Sequence, residues 1–442
     1  MPMNKNTGRP NPSSARATLS SLNRTAGSPN PTAETIGPSM QTSANSQTSA
    51  DSQTSDWKMI ELWDAIVIGA GPAGGMTAMR LAEQGHRVLL VEAKMFPRDK
   101  VCGGCLNRRA WSVLATAGVV PALEQAGAME LNRLHLFCGR RSVDWSMPSM
   151  HAVSRRSMDA VLVSAAVALG ACFAEETQAR IEPAEPTSEF ITVQLKQRGG
   201  AERLARARVV IAADGLSHTS LGALEQTVSH VVPGSRVGLG ATFAYDGPDY
   251  PAGRLSMVVG RAGYVGVTRV ELGRLNLAAA VSVDSLRAAA GPAELIAQLL
   301  SEAGLEVPEG CHQAAWVGTP PLTRESAHWS ARRVFLVGDA TGYVEPFTGE
   351  GMSWALAGAA QVSSFAQRAI ASWSDDLAHE WHQTWRRHVR RHQSTCRGLA
   401  WLLRRPRLAE ITLGGARYVP WLTNWVIDRV AGSQVSTDTF GK

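Results

Sequence analysis

The spacing of apolar positions changes several times along the chain. Residues 1–56 carry almost no apolar clusters and are rich in Ser, Thr, Asn, Pro and Gln. Gln41–Asp56 is nearly a tandem repeat: Q-T-S-A-N-S, Q-T-S-A-D-S, Q-T-S-D. Such a segment cannot bury enough apolar surface to offset its ordering entropy, so residues 1–58 are expected to form a disordered tail. The other reading is a transit peptide, since Lys5, Arg9, Arg16 and Arg24 precede the first acid, Glu34. Patterned sequence begins near Ile60. Asp64–Ile68 is a short apolar run ending in glycines, which predicts a buried parallel strand. Met76–Gln84 has helical spacing, with Gly85 placed to end the helix. Arg87–Val91 predicts a second strand. Ala160–Ala168 predicts a helix stopped by Gly170, and Arg206–Ala212 and Arg333–Val337 predict further buried strands. Val237–Val283 alternates polar and apolar residues, which predicts an antiparallel sheet. From Leu377 onward the pattern is helical.

Strand, turn, helix and strand between Asp64 and Val91 form one unit, and its turn reads G-A-G-P-A-G, Gly69–Gly74. Gly69 allows a tight turn, Gly71 lets backbone approach a pyrophosphate, and Gly74 lets the helix pack on the strand. Ala73 stands within the same turn. The helix start offers free N–H groups and partial positive charge to phosphates. Glu92 lies 18 residues after Gly74, at the end of the second strand. A carboxylate there accepts from a ribose diol and repels a 2′-phosphate, which predicts the adenosine diphosphate unit of FAD or NAD.

Two further motifs follow strands. Ala212–Ser217 reads A-A-D-G-L-S, with Asp214 and Gly215. Gly338–Met352 reads G-D-A-T-G-Y-V-E-P-F-T-G-E-G-M. Asp339 can take the hydroxyls of a sugar or ribityl chain. The turn at Gly349, Gly351 and Met352 presents backbone N–H groups at a helix start, where the negative charge of a reduced flavin would be stabilised.

These three motifs in this order resemble the flavoprotein superfamily with the p-hydroxybenzoate hydroxylase fold, over residues 62–375. The resemblance implies an α/β chain (α+β overall): a Rossmann-type FAD-binding domain interleaved with an antiparallel-sheet substrate domain, plus a C-terminal helical segment. The FAD-binding domain is expected at 59–132, 151–222 and 319–375, the substrate domain at 133–150 and 223–318, and the helical segment at 376–442. The ADP half of FAD falls to Gly69, Gly71, Ala73, Gly74 and Glu92. Asp214 and Gly215 lie near the pyrophosphate, and Gly338 and Asp339 hold the ribityl chain. Arg156 and Asp159 look like the helix start upstream of the Asp-Gly motif in that superfamily. F-P-R-D-K-V-C-G-G (Phe96–Gly104) and P-F-T-G-E-G-M (Pro346–Met352) resemble the geranylgeranyl reductase branch. Aromatic hydroxylases usually carry His where this chain has Thr341. The Trp-x-Trp-x-Ile-Pro segment of flavin-dependent halogenases is missing from Gly263–Arg269. The reductase branch tends to have an aromatic run ending in Pro where this chain reads Val265–Arg269.

The resemblance therefore implies an FAD-dependent reductase acting on a carbon–carbon double bond of an apolar, polyprenyl-like or other lipid substrate. The alternative is an FAD-dependent monooxygenase, a hydroxylase or epoxidase of apolar or aromatic compounds. A carrier of prenylated partners without redox chemistry is disfavoured by the intact flavin motifs. The electron donor is either transiently bound NAD(P)H or a ferredoxin-like protein, because no second glycine fingerprint is present. Cys102 and Cys105 form C-G-G-C. In the reductase branch a cysteine at the Cys102 position lies near the flavin, where its thiol could donate a proton; the other reading is a small buried residue beside two glycines. A lone C-x-x-C does not make a structural zinc site.

Composition narrows the rest. The 442 residues are 44% hydrophobic and 19% charged, enough for a large core. The net charge of +6 is local: Glu380–Arg407 holds eight arginines and one acid, so the remainder is near neutral and no general nucleic-acid surface is indicated. Six cysteines are too few for a disulfide scaffold, which predicts a reducing, cytoplasmic setting. No uncharged apolar run approaches the roughly 18 residues of a membrane span. Trp381, Trp385, Val389, Cys396, Ala400 and Leu403 fall near one helical face, with Arg386, Arg387, Arg390, Arg391 and Arg397 largely off it. That helix either lies on an anionic membrane surface, the protein then being peripheral on the membrane, or packs on the core with a solvated arginine face. His388 and His392 have metal-ligand spacing but sit among arginines, so no metal is expected.

Overall fold

The computed structural model describes residues 61–139, 141–224, 227, 229–345, 347, 349–405, 408–412 and 427, and of residues 388–395 the backbone alone. The N-terminal tail, Trp421, Trp425 and the side chains of His388 and His392 lie outside the described residues.

Two large sheets organise the chain. The first runs in the order Ser330–Ala331, Val334–Leu336, Glu202–Ala212, Glu61–Ile68, Val88–Val91, Cys172–Ala174. Its central neighbours are parallel, with Ile68 opposite both Val91 and Ala212. The predicted unit is present as the strand Glu61–Ile68, the helix Pro72–Glu83 and the strand Val88–Val91. Gly85 follows that helix with positive φ. Because successive strand residues point to opposite faces, the first strand feeds two cores. Ala65 and Val67 pack under the helices Pro72–Glu83, Arg155–Ala168 and Glu350–Ala371. Ile66 and Ile68 pack under an antiparallel hairpin, Thr177–Ile181 with Ile191–Gln197, that extends from Glu202–Ala212.

The second sheet runs Val317–Pro321, Val237–Ala244, Arg274–Val281, Gly263–Val270, Arg254–Val259, Met129–Cys138, Arg141–Ala152, Cys105–Leu106. Its four central strands are the antiparallel region predicted from alternation. Some strands cross the expected segment edges. Met129–Cys138 and Arg141–Ala152 lie in this sheet along their whole lengths, beyond 133–150, and Val317–Pro321 joins it although 319 was expected to open the other segment. A ladder runs the length of its strands and does not break at a motif edge. The helix Pro292–Glu302 covers one face with Leu295, Ile296, Leu299 and Leu300. The other face looks toward the nucleotide-binding sheet.

The C-terminal helix Asp375–Leu403 packs on the core. Trp381 and Trp385 are fully buried, so these two tryptophans are not free for a membrane interface. Trp381 stacks with Trp385 and meets Phe365 edge-on at 5.4 Å, and its indole N–H donates to the Leu336 carbonyl. Gly358 makes room for Trp385, whose ring stands 2.6 Å from where a Cβ would lie. Trp401 is exposed, with the Arg405 guanidinium 3.9 Å above its ring. No described helix is long and apolar enough to cross a membrane.

Candidate cofactor and substrate cavity

Three strands of the first sheet end side by side, and each ends in one of the three motifs. Gly69 has φ +102°, and a Cβ there would lie 2.4 Å from the Ala213 carbonyl oxygen. A Cβ at Gly74 would lie 1.8 Å from the carbonyl oxygen of Gly69. These two glycines close the turn, and their surroundings are protein backbone. Gly71 differs: the nearest atom to its would-be Cβ is the Arg155 guanidinium at 3.3 Å. Gly71 and Ala73 line a cavity, together with Gly215, Gly338, Asp339, Gly349, Gly351 and Met352. The sequence-predicted positions from all three motifs therefore meet in one place.

Glu92, Asp214, Gly69 and Gly74 stand behind that wall. Glu92 is buried; its carboxylate accepts from the Ala70 N–H (3.1 Å), the Lys94 N–H (3.1 Å) and the Arg98 guanidinium (2.8 Å). Arg98 also binds Asp159 at 2.8 Å. Asp214 accepts from the Ser220 N–H, while its second carboxylate oxygen is buried with no hydrogen-bond partner among the described residues. A buried polar atom left unpaired beside a glycine turn fits a site that a polar ligand completes.

Asp339 is half-buried and faces the cavity. Burial pushes its carboxyl above the usual carboxylate range, against the opposing pull of Lys100, Arg155 and His218. Gly349 takes a left-handed conformation, φ +72°, at the start of the helix Glu350–Ala371. That turn aims the first N–H groups of a 22-residue helix at the cavity.

Arg156 and Asp159 lie in the opening turns of the helix Arg155–Ala168, the helix start expected there. Arg156 is half-buried and lies 3.6 Å from Asp99. Its neighbour Arg155 is the buried partner of Asp159, at 2.9 and 2.8 Å, and lines the cavity. Both arginines stand at helical distance from Asp159, and only the rotation of the helix against the sheet chooses between them. Lys100 and Arg98 also escaped the sequence reading; their signal was the stretch Phe96–Gly104 itself, of which Lys100, Val101, Cys102 and Gly103 line the cavity.

Cys102 and Cys105 both line the cavity. The Cys102 Sγ lies 3.6 Å from Met352 Sδ and accepts from the Gly104 N–H. Burial raises its pKa, although Arg155 opposes the shift. Cys105 is buried and pushed up to about 12 by burial. Among the described residues no cluster of His, Cys, Asp or Glu is arranged to hold a metal.

The opposite wall belongs to the second sheet: Leu255, Met257, Gly266 and Ala278 stand there, with Leu134 and Met150 from the neighbouring strands. The empty space is about 1450 Å³, part of it open to solvent.

Residues 63–238 match the family model described as the FAD binding domain. The fold is that of FAD-dependent flavoproteins. The chain is 26% identical to the conditioned medium factor receptor 1 of Dictyostelium discoideum over 72% of this chain and 66% of that protein. It is 26% identical to a menaquinone reductase of Mycolicibacterium smegmatis, over 79% of this chain and 86% of the relative. It is also 26% identical to the digeranylgeranylglycerophospholipid reductase 2 of Methanopyrus kandleri, over 70% and 78%. Among solved structures, a flavoprotein/dehydrogenase from Cytophaga hutchinsonii superposes with a TM-score of 0.71 at 18% identity, covering 84% of this chain and 92% of that one. The last likeness concerns the fold.

Proposed function

We propose that this protein reduces a carbon–carbon double bond of an apolar substrate, with a polyprenyl or similar lipid chain as the preferred class. The observation that carries the reading is the shared cavity: one wall holds the cofactor motifs, the other is an apolar sheet face, and Cys102 lies between them beside Met352. Two of the relatives described above are named as reductases, of menaquinone and of a digeranylgeranyl lipid.

Bound and reduced FAD supplies a hydride, and it is restored by NAD(P)H or by a ferredoxin-like protein. The chain's own residues do the rest. Gly69, Gly71, Ala73 and Gly74 shape the pyrophosphate turn, while Glu92 fixes that turn through Ala70 and is placed for the ribose. Asp214 and Gly215 would border the FAD pyrophosphate, and Gly338 with Asp339 would take its ribityl chain. Gly349, Gly351 and Met352 would present the helix start to a flavin ring, whose negative charge on reduction it would stabilise. The sheet wall excludes water and holds the apolar chain. Cys102 keeps its proton at neutral pH and delivers it to the substrate carbon that does not receive the hydride. One hydride and one proton saturate one double bond.

The test is anaerobic turnover of the purified protein with NADH, NADPH or dithionite and candidate polyprenyl lipids, read by mass spectrometry. Gain of two hydrogens per turnover is expected. Oxygen consumption that depends on substrate, with gain of one oxygen atom, would establish the monooxygenase reading instead.

A further inference from the structure

The end of the helix Asp375–Leu403 differs from its middle. Trp381 and Trp385 are buried, whereas Trp401, Leu408 and Ile411 are 55%, 43% and 68% exposed. Helical hydrogen bonding continues past Leu403: the Ala409 N–H donates to the Arg405 carbonyl at 3.0 Å, and Thr412 Oγ1 to the Leu408 carbonyl at 2.8 Å. Other residues anchor the same stretch. Leu403 and Ala409 are buried in an apolar cluster, with Leu399 and Leu402 packed against it.

The charge is equally uneven. Glu325 is held by Arg397 at 2.6 Å, and Glu410 lies 4.0 Å from Arg141. Arg404 and Arg405 are exposed and form no ion pair among the described residues. The Arg405 guanidinium lies 3.9 Å over the Trp401 ring and donates to the Trp401 carbonyl at 3.0 Å. The Arg404 guanidinium stands beside Gly234, 3.8 Å from where a Cβ would lie. Gly234 follows the strand Ser229–Val231, whose last residue, Val231, is also exposed. Two unpaired cations therefore stand among four exposed apolar side chains.

This surface adjoins the cavity. The cluster that holds Leu403 and Ala409 also contains Leu134, Met150, Leu255 and Met257, which line the cavity. One apolar cluster reaches from beneath the exposed helix end to the wall on which an apolar substrate would lie.

We infer that Trp401, Leu408, Ile411 and Val231, with Arg404 and Arg405, form a contact surface for an anionic lipid bilayer. A tryptophan beneath an arginine puts an apolar ring and a positive charge at one depth, which suits the boundary between headgroups and acyl chains. The core of a protein interface is depleted of charge, but here the apolar side chains are interleaved with arginines, which anionic headgroups match. The contact sets the bilayer beside the cluster that forms the cavity wall, so a lipid substrate has a short apolar approach. Only that approach rests on the proposed function; the bilayer contact stands on the surface itself.

The experiment is co-sedimentation of the full chain with vesicles of phosphatidylcholine, alone or mixed with phosphatidylglycerol. Three double variants are compared with the wild type: Trp401→Ser with Ile411→Ser, Arg404→Gln with Arg405→Gln, and, in the middle of the helix, Arg386→Gln with Arg387→Gln. All six residues are exposed, so thermal melts and flavin absorbance are expected to match the wild type. The wild type is expected to bind the mixed vesicles at low salt, and more weakly as salt rises. The Arg404 and Arg405 variant should bind roughly 10- to 30-fold more weakly, about 5-fold per arginine at the surface. The serine variant should lose about 10-fold or more, with its residual binding abolished by salt. Arg386 stands about 22 Å along the helix from Trp401, beyond the roughly 10 Å reach of a charge in salt, so the mid-helix variant should bind as the wild type does. A wild type that stays in the supernatant overturns the inference. An equal loss in the mid-helix variant also overturns it, because the attraction would then be diffuse. Self-association of the wild type that the serine variant abolishes does the same, since a second copy would then cover the surface. Vesicle binding as expected, in a protein that reduces no polyprenyl lipid, overturns the substrate reading and leaves the contact surface standing.

Discussion

Arg155 and Asp159 face each other one helical turn apart, joined by hydrogen bonds of 2.9 and 2.8 Å, with the Asp159 carboxylate wholly removed from solvent. Arg98 binds the same carboxylate from the loop after the second strand. The helix Arg155–Ala168, the loop and Glu92 are therefore held in one ionic network behind the cavity.

Arg155→Met is expected to cost stability near the low end of the about 3–5 kcal/mol typical of a broken buried pair, because Arg98 still covers Asp159. Arg156→Met removes only a half-exposed pair and should cost less than about 1 kcal/mol. Urea unfolding of the two variants measures the difference. Equal destabilisation would show that the buried network does not hold the loop.

Asp339 gives a pH dependence with a definite sign. Its carboxyl is held above the ordinary range by burial, so it takes up a proton at milder acidity than an ordinary aspartate. If the ionised form accepts from the ribityl hydroxyls, FAD retention should be full above that raised pKa and fall as pH drops through it. Asp339→Asn should bind FAD more weakly throughout, with a flat profile over the same window. Fluorescence of released flavin against pH reads both; matching profiles in the two proteins would remove Asp339 from the cofactor site.

The thiols should separate in a labelling experiment. Cys172 is exposed, whereas Cys105 is buried and its pKa is pushed up to about 12. Iodoacetamide at neutral pH should modify Cys172 first and leave Cys105 intact, by peptide mass mapping. Cys102→Ala should allow normal flavin reduction but slow substrate reduction by ~10²–10⁴, the range for a lost general acid. Cys105→Ala should leave that step nearly unchanged. Full rates in the Cys102 variant would leave its thiol a packing group.

Trp381 tests the placement of the C-terminal helix. It is fully buried against Phe335 and Phe365. Trp381→Ala should cost about 3–5 kcal/mol, visible as a large drop in the urea midpoint. A near-silent substitution at this site would mean that the helix is not docked on the core.

The sequence alone determined the parts whose geometry is local. Gly69–Gly74 must turn between a strand and a helix whatever surrounds them, and Glu92 ends the next strand of the same unit. The alternation in Val237–Val283 likewise announced antiparallel strands, because a sheet with two different faces imposes a period of two. The hairpin Thr177–Ile181 with Ile191–Gln197 carries the same alternation, T-Q-A-R-I and I-T-V-Q-L, in runs short enough to pass for loop. Tertiary structure decided what local pattern leaves open. Helical spacing places Arg155 and Arg156 equally near Asp159; packing against the strands turned Arg155 inward and left Arg156 half in water. Periodicity put Trp381 and Trp385 on one apolar stripe, but it does not say whether lipid or protein covers that stripe, and the space beside Phe335 and Gly358 answered it. Nothing in the local pattern singles out Lys100, since the direction of a loop lysine depends on where its loop is laid. Only the closure of two sheets over that loop placed its charge in the cavity.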